Sequence, residues 1–79
     1  MTTFEKVREV IVATLNFAEA DIKEDTNLME DLHADSLDLV ELNMALEEKY
    51  GISIPEEEFP KLTRVDNIAA YLDEHLPKD

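Results

Sequence analysis

Three kinds of side chain able to do chemistry stand close together between Asp31 and Ser36. A serine near His33 and Asp35 suggests nucleophilic catalysis, but nothing in the sequence supplies an oxyanion hole, and 79 residues leave little room for a substrate pocket. The alternation of Asp31, His33 and Asp35 is also typical of the start of a calcium loop. Ser36 replaces the glycine of that loop, however, and Leu42 replaces its final glutamate. We therefore expect neither an enzyme nor a metal site.

Ser36 is predicted to stand where a loop changes into a helix. Asp35 is a favourable N-cap residue, because its carboxylate can accept hydrogen bonds from the free N–H groups of a first helical turn. No glycine or proline occurs from Leu37 to Tyr50, and Gly51 can take the left-handed conformation that ends many helices. We therefore predict a helix that has Ser36 at its first position, on the surface.

The predicted helix has two apolar faces. One face collects the side chains that we expect in the core, namely Leu39, Leu42, Leu46 and Tyr50. The other face, which Ser36 shares, is apolar and flanked by carboxylates, and no Lys or Arg occurs between Lys23 and Lys49. We interpret it as a docking face for a partner surface that is both basic and apolar. The docking face is made of Asp35, Leu37, Asp38, Val40, Glu41, Met44, Glu47 and Glu48.

The same region resembles a known family. The segments 31–38, 40–42 and 44–48 closely resemble the phosphopantetheine attachment region of acyl carrier proteins, especially the free-standing carriers of dissociated bacterial fatty acid synthesis. The resemblance implies that Ser36 carries 4′-phosphopantetheine through a phosphodiester, and that the terminal thiol of this arm holds acyl groups as thioesters. It also implies a non-catalytic carrier in fatty acid biosynthesis, whose partners are a phosphopantetheinyl transferase and acyl-processing enzymes with basic patches that meet the docking face.

Two residues depart from the family pattern. His33 stands where these carriers usually have glycine, and Asn43 stands where an apolar residue is usual. The resemblance implies a sheltered space for the acyl chain, which in this sequence would be lined by Leu46, Ile54, Phe59, Leu62, Ile68 and Ala69. An amide at its edge and Pro60 in the nearby short helix leave the depth of this space open. A carrier for a polyketide or another specialised acyl pathway therefore remains an alternative, as does an acidic helical interaction module without a cofactor.

Composition restricts the class of partner and of compartment. Twenty acidic and seven basic residues give a formal net charge of −13, which makes nucleic acid and anionic membranes poor partners. The chain contains no cysteine, which fits a reducing compartment, and no apolar segment approaches membrane-spanning length. The N-terminal residues have no signal-like pattern. We expect a cytoplasmic, monomeric protein that forms one domain over residues 1–79.

A first helix and a long loop precede the docking face. Thr2 and Glu5 have the spacing of a capping box, and apolar residues recur at intervals of three and four, which predicts a helix over residues 3–17. Residues 18–34 form a long loop that Ile22, Leu28 and Leu32 would fix to the core, with a turn at 25–27.

Two further helices are predicted after Gly51. A short one begins at Pro55 and is expected to make no more than about one turn, because Pro60 disfavours helical geometry at Phe59. The last one has a capping-box pattern at Thr63 and Asp66 and a buried stripe, and it ends at Pro77. The stripe comprises Val65, Ile68, Ala69, Leu72 and Leu76. The sequence thus predicts an all-α fold, a small bundle of three longer helices and one short irregular helix.

Overall fold

A computed structural model describes residues 2–75, in which three α-helices carry the fold. They are Thr3–Leu15 (α1), Ser36–Tyr50 (α2) and Val65–His75 (α3). A 3₁₀ turn, Glu19–Asp21, follows α1, and a 3₁₀ helix, Glu56–Lys61, lies between α2 and α3. Helix α1 packs against both α2 and α3, and the 3₁₀ helix packs against α2. The predicted all-α bundle is confirmed, and no helix within residues 2–75 is long and apolar enough to cross a membrane.

The capping box predicted for α1 is present. The backbone N–H of Glu5 donates to Thr2 Oγ1 at 3.2 Å, and the N–H of Thr2 donates to Glu5 Oε1 at 2.9 Å. Hydrogen bonding from the backbone N–H of Thr2, and then from its side-chain hydroxyl, lowers the pKa of the Glu5 carboxyl. The helix ends two residues earlier than predicted, because Asn16 takes the left-handed conformation, with φ 62°, and donates its N–H to the carbonyl of Val12.

One apolar core connects the three α-helices, the long loop and the 3₁₀ helix before α3. Helix α2 contributes three buried leucines from the face predicted for it, while Tyr50 is half-buried. Of the predicted loop anchors, Ile22 and Leu28 are buried and Leu32 is half-buried. The predictions for Leu76 and Pro77 lie outside the described residues. The buried apolar side chains are Val7, Val10, Ile11, Ile22, Leu28, Ala34, Leu39, Leu42, Leu46, Ile54, Leu62, Val65, Ile68 and Leu72.

The first turn of α3 is held by the long loop and not by the predicted capping box. The N–H of Asp66, which the box would direct to Thr63, donates instead to the carbonyl of Glu24 at 2.9 Å. The N–H of Val65 donates to the carbonyl of Thr26 at 3.0 Å. Main-chain acceptors from the loop thus satisfy the free donors that a side-chain cap would otherwise have to satisfy. The loop and the start of α3 are consequently one hydrogen-bonded unit.

The short helix before α3 continues further than predicted. Pro55 precedes its first residue, and the 3₁₀ helix runs through Pro60 to Lys61. The N–H of Leu62 donates to the carbonyl of Phe59 at 3.1 Å, so the chain keeps its i to i+3 bonding on both sides of the proline. The helix is thus longer than the single turn predicted, because a 3₁₀ helix accommodates a residue that has no N–H to donate.

Candidate functional site

The reactive hydroxyl of the site stands at the N-terminus of α2. Asp35 is the N-cap residue, and its Oδ1 accepts the backbone N–H of Asp38 at 3.0 Å. The N–H of Asp35 donates in return to Asp38 Oδ2 at 3.1 Å, which completes a capping box. Ser36 follows as the first helical residue and is exposed to solvent. Ser36 is thus at the first helical position, as predicted. Its backbone is held by the two hydrogen bonds that join Asp35, before it, to Asp38, after it.

The loop before Ser36 is fixed in place by its own side chains and by the start of α3. The Oδ1 atom of Asn27 accepts the N–H groups of Met29 and Glu30, both at 2.9 Å. The N–H of Leu28 donates to the carbonyl of Thr63 at 2.8 Å. The N–H of Ala34 then donates to the carbonyl of Leu28 at 2.9 Å. The entry to α2 is therefore positioned by a chain of backbone bonds that leads back to α3.

His33 takes the backbone conformation that glycine adopts most easily. Its φ is 59°, in the left-handed region, and its side chain is exposed. A residue with a Cβ atom is strained there, by roughly 1–2 kcal/mol. The hydrogen bonds of the described residues include none between His33 and Ser36. The left-handed backbone explains why glycine is usual at this position. With histidine there, the chain carries a conformational cost three residues before Ser36.

The docking face is exposed along most of its length. Leu37 is 73 % exposed and Met44 is 59 % exposed, while Val40 is half-buried. Three of the carboxylates, those of Asp35, Glu41 and Glu48, are exposed, and those of Asp38 and Glu47 are half-buried. Two large apolar side chains in water on one helix face are not explained by the core, which α2 reaches through its opposite face.

None of the docking-face carboxylates joins an ion pair within residues 2–75. The ion pairs of these residues link Arg8 to Glu19, Lys49 to Glu9, Lys61 to Glu58 and Arg64 to Asp66. Lys49, the one cation of α2, points to α1, and its hydrogen bond to Glu9 at 2.8 Å raises the pKa of its ammonium group. Within residues 2–75, the carboxylates of the docking face therefore have no cation of the chain beside them and remain available to a basic partner.

An apolar cavity opens beside the serine. It has a volume of about 230 Å³ and lies between the first turns of α2 and the 3₁₀ helix. Its walls are Met29, Ser36, Leu39, Val40, Phe59 and Pro60. The cavity thus places an apolar surface within reach of any group attached to the Ser36 oxygen.

Below the cavity, α2 carries a buried amide. Asn43 is fully buried, and its Nδ2 donates to the carbonyl of Leu39 at 2.8 Å, while its Oδ1 has no hydrogen-bond partner among residues 2–75. The sequence places this residue at the edge of the core stripe, whereas the structure places it inside the core.

Known proteins match the chain over almost its whole length. The phosphopantetheine attachment site family matches residues 5–72. An acyl carrier protein of Campylobacter hominis is 49% identical over 79 residues, which are 100% of this chain and 99% of the relative. Acyl carrier proteins of Wolinella succinogenes and Helicobacter hepaticus are 47% and 48% identical, each over 92% of this chain and 96% of the relative. The chain belongs to the acyl carrier protein family. Members of this family carry an attached 4′-phosphopantetheine group.

The start of α2 fits the phosphodiester of an acyl carrier protein. The capping bond occupies the N–H of Asp38, and the N–H of Leu39 donates to the carbonyl of Asp35 at 3.2 Å. Among the hydrogen bonds of residues 2–75, none uses the N–H groups of Ser36 and Leu37. Two free donors at the positive end of a 15-residue helix are favourable neighbours for a phosphate.

Six residues were predicted from the sequence to line a space for an acyl chain, and most of them lie in the core. Of the six residues predicted to line it, Phe59 lines the cavity, and the other five do not. Leu46, Ile54, Leu62 and Ile68 are buried in the core, and Ala69 is half-buried. The lining residues that sequence reasoning missed are Met29, Leu39 and Val40, together with Pro60, which was noted only for its effect on the helix. The spacing of Ser36, Leu39 and Val40 by three and four residues is the signal that could have indicated the α2 side of this cavity.

Proposed function

We propose that this protein carries acyl groups as thioesters on a 4′-phosphopantetheine arm esterified to Ser36, and that it delivers them to enzymes of fatty acid biosynthesis. The observation that supports this most strongly is the exposed Ser36 hydroxyl at the first position of α2, beside an apolar cavity. The serine lies within the segment that matches the attachment site family. When bound, the arm supplies the thiol that a chain without cysteine lacks.

The protein itself needs only to present the hydroxyl. Ser36 is held by the capping box of Asp35 and Asp38, so its oxygen has a fixed position on a rigid helix. Each carboxylate of the box accepts a backbone N–H, and among the hydrogen bonds of residues 2–75 neither carboxylate accepts the Ser36 hydroxyl. The transferase therefore takes the hydroxyl proton during attachment, and we propose that the carrier is not an enzyme.

Partner enzymes are proposed to bind at the docking face. The carboxylates of the docking face, which pair with no cation within residues 2–75, attract a basic surface over long range and increase the encounter rate. The exposed Leu37 and Met44 then contribute apolar contacts that hold the complex. The proposed partners are the phosphopantetheinyl transferase and acyl-processing enzymes that carry basic patches. We further propose that the carrier is a monomeric single domain and acts in the cytoplasm.

The attachment is tested by the intact mass after incubation with coenzyme A, Mg²⁺ and a promiscuous phosphopantetheinyl transferase. Wild-type protein is expected to gain one phosphopantetheine group, and Ser36→Ala is expected to gain none. Ser53→Ala is the matched control, because Ser53 is exposed and is the one other serine of the sequence. Loading that persists in Ser36→Ala, or no loading of wild-type protein by several transferases, would contradict the proposal and favour a docking module without a cofactor.

A carrier for a specialised acyl pathway is the second candidate. It is favoured by one observation, the fully buried Asn43 with an unpartnered amide oxygen. A core that shelters only saturated chains gains nothing from such a group.

A further inference from the structure

Asn43 is a polar group whose burial the fold does not explain. Its side chain has no exposed surface, and its Nδ2 bonds to the carbonyl of Leu39 one turn earlier in the same helix. The Oδ1 atom is buried without a hydrogen-bond partner. Buried acceptors in folded proteins are nearly always satisfied, so an unsatisfied one indicates a partner that the chain itself does not provide.

The position of Asn43 relates this acceptor to the attachment serine. Seven residues separate Ser36 from Asn43, which is within about 20° of two full turns, so both lie in one row on α2. Along the helix axis they are about 10.5 Å apart. Leu39 and Val40 lie between them in the row and line the cavity. Asn43 is therefore the next residue of α2 beyond the cavity wall, on the inner side.

We infer that the amide oxygen of Asn43 accepts a hydrogen bond from a hydroxyl on the carried acyl chain, so that this carrier shelters hydroxyacyl groups better than saturated ones. The inference rests on the proposed carrier function. Asn43 lies one helical turn beyond Leu39 in the cavity wall, so it is the first polar group of α2 that an acyl chain extended inward past this wall would meet.

A neutral hydroxyl fits this acceptor better than the other donors that a cargo could bring. The cavity walls carry no charged side chain, and the buried residues of the described chain are apolar apart from Thr26 and Asn43. A cationic group would lose its hydration there without a carboxylate to pair with. Thr26 is already engaged, since its Oγ1 accepts the N–H of Lys23 at 2.8 Å. A hydroxyl satisfies the Asn43 oxygen and brings no charge into the core.

The test compares one carrier loaded with three acyl groups of equal length. Octanoyl, 3-hydroxyoctanoyl and 8-hydroxyoctanoyl phosphopantetheine are transferred from the corresponding coenzyme A esters, and intact mass verifies each product. At least one hydroxyacyl form is expected to melt about 4–8 °C above the octanoyl form, which is the shift that one net hydrogen bond produces in a domain of this size. In Asn43→Val the difference is expected to vanish.

Two further variants and one NMR measurement make the result specific to the buried amide. Asn67→Val changes an exposed asparagine of α3 in the same way and is expected to keep the wild-type difference. Asn43→Leu is a second apolar variant, in which the melting difference should also vanish. In the wild-type protein, the side-chain amide signals of Asn43 in NMR spectra should shift with the hydroxyacyl cargo and not with octanoyl.

Three outcomes separate the inference from the proposed function. Equal melting of all three loaded forms would refute the inference, and it is the result expected if an internal water already satisfies the Asn43 oxygen. A hydroxyl-dependent difference that persists in both Asn43 variants would also refute it. A wild-type chain that accepts no acyl-phosphopantetheine at all would instead refute the proposed carrier function.

Discussion

Replacement of Asn43 by valine should stabilise the unloaded protein. The substitution removes a fully buried amide whose Oδ1 has no partner and leaves a side chain of similar size in the core. Valine and asparagine have similar helix propensities, so the backbone of α2 contributes little to the difference. Most substitutions of fully buried residues destabilise a protein, which makes the expected sign unusual and informative.

The magnitude follows from three terms. An unsatisfied buried acceptor costs about 1–3 kcal/mol, and the substitution recovers this cost. The hydrogen bond from Nδ2 to the Leu39 carbonyl is lost, which costs about 0.5–1.5 kcal/mol. The Leu39 carbonyl lies inside α2, where it keeps the backbone N–H of residue 43 as a donor. The net gain is therefore about 1 kcal/mol, before any further gain from added apolar contacts.

Thermal and urea unfolding of the unmodified protein measure this gain. A net 1 kcal/mol raises Tm by about 4–8 °C in a domain of 60–100 residues. The control is Asn67→Val, which changes an exposed residue and should alter the free energy of unfolding by less than about 0.5 kcal/mol. A loss of stability in Asn43→Val would show that the amide is satisfied in solution, and the estimate of its cost would then be wrong.

Further predictions concern the backbone, the pH dependence and the docking face. His33→Gly should stabilise the fold by about 1 kcal/mol and Gly51→Ala should destabilise it by a similar amount, because both positions have a left-handed φ, 59° and 66°; urea unfolding measures both. Burial, and then the charge of nearby Glu58, raise the pKa of Tyr71 above its ordinary value of 10.0. The folded state therefore holds this proton more tightly than the unfolded state, so its contribution to stability is complete below pH 10 and is lost as the pH rises through the folded pKa. Melting curves at neutral and alkaline pH should show a smaller alkaline loss in Tyr71→Phe than in wild type, and equal losses would contradict the assignment. Met44→Gln should slow loading by the transferase while the free energy of unfolding changes by less than about 0.5 kcal/mol, since Met44 is 59 % exposed.

Local signals in the sequence predicted the helix starts that depend on neighbouring residues. The capping bonds that begin at Thr2 and at Asp35 join residues three positions apart. Both partners of each bond can therefore be recognised in a short segment of sequence. The second half of the box at Asp38 was missed, although Asp35 and Asp38 have the same spacing as Thr2 and Glu5. The similar pattern at Thr63 failed, because the carbonyl of Glu24, 42 residues away from Asp66 in sequence, takes the N–H that the box would use. Such a contact depends on the folded chain and has no local pattern.

The candidate site likewise has features that follow from local spacing and one feature that depends on distant contacts. The helical position of Ser36, the exposure of Leu37 and Met44 and the apolar inner face all follow from spacing along one helix, and the sequence predicted them. The cavity required the placement of the 3₁₀ helix against α2, which depends on packing between distant segments. The sequence therefore did not indicate this cavity, and most of the residues that it assigned to an acyl-chain space, such as Leu46 and Ile68, lie in the core.

Helix α2 combines demands that oppose one another. Stability requires the buried leucines of its inner face, whereas the exposed Leu37 and Met44 and the unpaired carboxylates contribute little to folding and add charge repulsion to a chain of net charge −13. The capping box offsets part of this repulsion, since Asp35 and Asp38 lie at the positive end of the helix. Features that the fold does not need therefore collect on the side of α2 that Ser36 shares, which is where an attached cargo and a partner enzyme would meet.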